Sequence, residues 1–61
     1  VPEEIREVLG RRAVLSWRGI RREVEVVGAK RSSVSGWWIE VIREGEPGVF
    51  AYRWDEVELE V

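Results

Sequence analysis

The last third of the chain leaves little freedom in what it can become. Gly36-Trp37-Trp38-Ile39-Glu40-Val41-Ile42-Arg43 is followed, after Gly45-Glu46-Pro47-Gly48, by Phe50-Ala51-Tyr52-Arg53, then Trp54-Asp55-Glu56, then Val57-Glu58-Leu59-Glu60-Val61. These read as three strands and two short turns. The final alternation of apolar residues with glutamates turns one edge inward and a row of carboxylates to solvent. Gly-Glu-Pro-Gly is a turn signal, because glycine supplies positive φ and proline presets it near −65°.

Upstream, the same alternation recurs twice. Ala13, Leu15 and Trp17 share one face of a segment that stops before Gly19. Ile20, Arg22, Val24 and Val26 then share one face of a second strand, with Arg21, Glu23, Glu25 and Val27 on the other. Arg22 is the one charged residue on that otherwise apolar face. Gly28 is expected to end this strand, leaving Ala29 to Ser35 as a polar loop. Trp37, Ile39 and Val41 share a face with Arg43, and Trp38, Glu40, Ile42 and Glu44 share the other. The N-terminus reads as a short helix, with Pro2 in its first turn, Glu3 and Glu4 at the positive end of the dipole, and Gly10 as terminator. Two turns of helix are not stable alone, so Ile5, Val8 and Leu9 must dock onto the sheet.

The expected fold is therefore mainly β. One domain spans residues 1–61, with a capping helix over 1–10 and a small five-stranded barrel over 11–61. Its strands fall at about 12–18, 20–27, 36–44, 49–53 and 57–61. Leu15, Val24, Val26, Ile39, Val41 and Leu59 are expected to fill the core. A helix, five short strands and a break before the last strand form the order of an Sm-like or SH3-like barrel. Closing such a barrel removes exposed sheet edges.

Composition sets the chemistry. Cys, Met and His are absent among the 61 residues, which removes disulfides, thiolate metal sites and the commonest general base. A domain this short buries only about 60% of its unfolded surface, so its four Trp, one Phe and one Tyr must supply much of the packing. Trp37 and Trp54 read as core; Trp38 reads either as core or as an exposed platform, since Glu40 and Glu44 share its face. Ser32, Ser33 and Ser35 have no base to activate them. Asp55 with Glu56, or Glu44 with Glu46, lies in a turn and matches no metal loop. The expectation is a protein that is not an enzyme and carries no cofactor or metal.

Charged residues make up 36% of the chain. With Asn and Gln also missing, that bias is the one found in proteins from hot habitats. No apolar run is long enough to span a bilayer and no signal peptide is evident, so a cytoplasmic protein without membrane contact is expected. Val1 fits either loss of an initiator Met or an excised fragment.

The net charge of −2 hides an asymmetry. Between Arg11 and Arg31, seven basic residues (Arg11, Arg12, Arg18, Arg21, Arg22, Lys30, Arg31) stand against Glu23 and Glu25, a balance of +5. From Ser32 onward, Arg43 and Arg53 stand against Glu40, Glu44, Glu46, Asp55, Glu56, Glu58 and Glu60, a balance of −5. Such a split marks either a face for nucleic acid or an acidic partner, or opposite charges on adjacent strands. Arg11 and Arg12 complement the helix C-terminus.

Gly36-Trp37-Trp38-Ile39 and Tyr52-Arg53-Trp54-Asp55-Glu56-Val57 resemble two segments of the WYL domain, a bent Sm-like barrel found in bacterial transcriptional regulators behind a DNA-binding domain. The likeness runs from Leu9 onward, with Trp38 and Ile39 in place of the family's Tyr and Leu. Arg21-Arg22-Glu23-Val24 resembles the opening of another of its strands. The resemblance implies an anionic ligand held by arginines and a role in transcription regulation. Phe50 and Glu56 occupy two positions where the family carries Arg, so only Arg53 of that set is present.

Trp interleaved with Arg and Lys suits a nucleic-acid surface, where rings stack on bases and cations hold phosphates. The expected interface comprises Trp17, Arg18, Arg21, Arg22, Lys30, Arg31, Trp38 and Arg53, binding nucleic acid or a nucleotide-like anion with little sequence preference. The competing expectation is an interaction module. In it, exposed Trp38 and Ile42 join copies of the chain into a homo-oligomer or hold a partner chain.

Overall fold

Pro2, at φ −55°, starts the helix α1, Glu3–Val8, by accepting at its carbonyl from the N–H groups of Ile5 (3.1 Å) and Arg6 (3.0 Å). In the computed structural model, which describes residues 1–61, the helix ends two residues before Gly10. Leu9 is already extended and Gly10 has φ +79°. The sheet draws the chain out of the helix. The Gly10 N–H donates to the Val26 carbonyl (2.7 Å), and the Val26 N–H donates to the Arg11 carbonyl (3.0 Å).

Five strands follow: β1 Arg12–Trp17, β2 Ile20–Ser32, β3 Gly36–Arg43, β4 Phe50–Arg53 and β5 Val57–Glu60, with a 3-10 turn over Trp54–Glu56 between the last two. They form one antiparallel sheet in the order β4-β3-β2-β1-β5. The turn between β1 and β2 is only Arg18 and Gly19, at φ +50° and +79°. Two consecutive positive φ values define the type I′ hairpin, whose twist matches that of the strands.

The second strand runs four residues past its expected end at Gly28. Val26 pairs with Val41 and Gly28 with Glu40, which leaves Val27 as a bulge. Pairing then resumes through Ala29 opposite Ile39, Lys30 opposite Trp38 and Arg31 opposite Trp37. The bulge absorbs one residue, so small Ala29 returns to the face of Ile39 and the polar stretch becomes strand instead of loop. Only Ser33, Val34 and Ser35 turn. There the Ser32 Oγ accepts from the N–H groups of Val34 (3.2 Å) and Ser35 (3.3 Å).

Residues opposite one another on paired strands share a face. One face carries Leu15, Val24, Val26, Ile39 and Val41, which are buried with Ile5 and Val8 of α1 in a single cluster. Trp17, Trp37, Phe50, Tyr52, Trp54 and Leu59 pack around that cluster, half-buried. Leu59, expected inside the core, stays at its margin because β5 is an edge strand paired only with β1. No helix is long and apolar enough to cross a membrane.

Candidate nucleic-acid interface

The outer face of the sheet carries one row that joins three strands. Lys30 on β2 is directly opposite Trp38 on β3, and Trp38 is directly opposite Arg53 on β4. Cross-strand neighbours of this kind lie about 4.5–5.5 Å apart at Cβ, so an aromatic ring is flanked on both sides by a cation. The ring is held in place. The Trp38 Nε1–H donates to the Ser35 Oγ at 2.8 Å, and the turn fixes Ser35 through its own N–H bond to Ser32.

The two ends of the row differ in charge. Lys30 and its neighbour Arg31 are exposed and make no ion pair. Arg53 is held by Asp55, Nη2 to Oδ2 at 3.1 Å, and by Glu56, Nη1 to Oε2 at 3.7 Å. Lys30, Arg31, Ser32, Ser35, Trp38 and Ala51 line a shallow cleft of about 290 Å3.

A second cleft, of about 340 Å3, opens beside β4 between Trp17, Arg22, Arg43, Phe50, Tyr52 and the flank of the Trp38–Arg53 pair. Arg22 and Arg43 are charged residues set on the apolar face, and one carboxylate serves both. The Arg22 Nη1–H donates to the Glu46 Oε2 at 3.0 Å, and the Arg43 Nη1 lies 3.9 Å from the same atom. The Arg43 guanidinium also lies 3.5 Å over the Phe50 ring centroid, an attraction to the ring's negative face. The Nε–H donors of Arg43 and Arg53 are buried without an acceptor. Sequence reasoning missed Arg43, Phe50 and Tyr52 as part of this site. The signal available was Arg43 sharing the face of Trp37, Ile39 and Val41.

The expected interface residues are not all brought together. Arg18 sits at the hairpin turn with its guanidinium 4.7 Å from the Trp17 ring centroid, and Arg21 reaches Glu60 at 3.6 Å on the β5 side. Along β2, Arg21 and Lys30 are separated by up to about 30 Å of extended strand. The hairpin group and the Lys30-Arg31 group therefore occupy opposite ends of that strand. Arg12–Glu44 (3.5 Å), Arg21–Glu60 and Arg22–Glu46 each join the basic half of the sequence to the acidic half. Part of the charge asymmetry is thus cross-strand pairing.

No family model, curated protein or solved structure matches the chain.

Proposed function

We propose that this chain is a small Sm-like or SH3-like barrel that binds single-stranded nucleic acid, or a nucleotide-like anion, without being an enzyme. The carrying observation is the row Lys30, Trp38, Arg53 on three adjacent strands. A base stacks on Trp38 while Lys30 and Arg31, whose charges no carboxylate engages, hold the phosphates on one side. Arg53 is poised on the other side and engages the backbone once released from Asp55 and Glu56. Duplex bases already stacked on their neighbours cannot reach the ring, so single strands and unpaired loops are the substrate. The resemblance to WYL domains, and with it a cytoplasmic role in transcription regulation, supports an anionic ligand near Arg53.

Titration of Trp fluorescence with single-stranded DNA and RNA oligomers over a range of salt tests this role. Binding should weaken with salt, and replacing Lys30 and Arg31 by Ala should flatten the log–log slope by about 0.7 per lost phosphate contact. Arg21→Ala, which removes a residue already paired with Glu60, should leave the slope unchanged. Absence of quenching at low salt would overturn the proposal.

The competing role, self-association, is favoured by Ile42, 40% exposed on the same face as Trp38. Sedimentation distinguishes the two, because apolar association persists at high salt where phosphate contacts fail.

A further inference from the structure

Two residues beyond Trp38 on the same face stands Glu40, about 7 Å along the strand. Its cross-strand neighbours are Gly28 on β2 and Ala51 on β4, so the floor on either side of its carboxylate carries almost no side chain. The carboxylate leans over Gly28: a Cβ placed there would lie 2.8 Å from Glu40 Oε1. Glu40 is half-buried, yet its side chain makes no hydrogen bond and no ion pair, although Lys30 and Arg53 stand in the next row. The carboxylate oxygens are open to solvent and engaged by no group of the chain, so they are free to accept from a base seated on the neighbouring ring.

We infer that Glu40 reads the base that stacks on Trp38 and selects guanine; this rests on the nucleic-acid role proposed above. An ionised carboxylate only accepts hydrogen bonds, through two oxygens side by side. Among the four bases, guanine alone presents two adjacent donors, N1–H and N2–H, on its Watson–Crick edge. Adenine and cytosine place a ring-nitrogen acceptor next to their amino group, which the carboxylate repels. Thymine and uracil offer one donor between two carbonyls. Phosphate contacts at Lys30 and Arg31 remain indifferent to sequence, so the preference is confined to one nucleotide.

The experiment titrates the 61-residue chain with thymine hexamers that carry guanine, hypoxanthine, adenine or thymine at one central position, read by Trp fluorescence. Guanine should bind about tenfold more tightly than adenine, within the range of one bidentate base contact. Hypoxanthine, which lacks the N2 amino group, should lose most of that advantage. Glu40→Gln should bring the guanine-to-adenine ratio below about twofold while still binding the all-thymine hexamer. Gly28→Ala, which keeps the charge but pushes the carboxylate aside, should also lower the ratio. Thermal melts by circular dichroism verify that both variants fold. Equal binding of guanine and adenine by the parent, or an unchanged ratio in Glu40→Gln, overturns this inference and leaves the interface standing. No quenching by any hexamer overturns both.

Discussion

The rings of Trp17 and Tyr52 meet edge to face, their centroids 5.6 Å apart and their planes at 66°, although β1 and β4 are separated by two other strands. In a flat sheet three strand spacings would hold them about 14 Å apart. The sheet is therefore curled, and this aromatic pair spans its concave side. A double-mutant cycle over Trp17→Ala and Tyr52→Ala should give a coupling of about 0.5–1.5 kcal/mol in urea unfolding, the value of an edge-to-face pair beyond its buried area. Strict additivity of the two losses would show that the contact holds nothing together.

Arg43 lies on the apolar face with its side chain only 18% exposed, and its nearest carboxylate is beyond hydrogen-bond distance. Desolvation of such a charge is costly, and an apolar side chain of similar length is often no worse. Arg43→Met should leave stability within about 1 kcal/mol of the parent, or raise it, by urea unfolding. A loss of several kcal/mol would mean that the stack on Phe50 outweighs the desolvation.

At the first hairpin, Arg18 adopts φ +50° where asparagine is preferred, and Gly19 follows as the type I′ turn requires. Its guanidinium also sits on the Trp17 ring, a contact worth about 0.5–1 kcal/mol at an exposed site. Arg18→Asn exchanges one for the other, so its effect should be under about 1 kcal/mol. Gly19→Ala gains nothing in return and should cost about 1 kcal/mol or more. Thermal unfolding of the two variants side by side checks the contrast, and equal losses would contradict it.

The cross-strand pairs Arg12–Glu44 and Arg21–Glu60 have side chains 58–75% exposed. Each should contribute less than about 0.5 kcal/mol in a double-mutant cycle, and less again in molar salt. A larger coupling would show that the opposite charges of the two halves of the sequence hold the sheet together.

Period-two patterning makes the five strands and the core residues Leu15, Val24, Val26, Ile39 and Val41 legible in the sequence, because each strand has one face closed to water, while Pro2, the acidic first turn and Gly10 mark the helix. Alternation alone puts Leu59 in the core, since it reveals which way a residue faces and not that its strand lies at an edge. Gly28 reads as a terminator in the sequence, which puts Lys30 and Arg31 in a loop; in the fold Val27 bulges, and a bulge depends on the partner strand. The row from Lys30 through Trp38 to Arg53 follows from register across three strands and could not be read from any one of them. Likewise, Arg22 stands alone in the sequence as a charge on an apolar face, and only the fold shows the β3–β4 turn placing Glu46 between it and Arg43.

Arg53 is the member of the proposed interface that the chain itself competes for. Asp55 and Glu56 follow it in the 3-10 turn and both reach its guanidinium, so a phosphate must displace them or share the group with them. Asp55→Asn with Glu56→Gln removes the two negative charges on Arg53 and releases it. If Arg53 contacts the backbone, the double variant should bind single-stranded oligomers more tightly at low salt and show a log–log salt slope steeper by about 0.7, one further phosphate contact. Adding Arg53→Ala to the double variant should return the slope to that of the parent. Tighter binding with no change in slope would mean that only general repulsion was relieved, and Arg53 would then drop out of the interface.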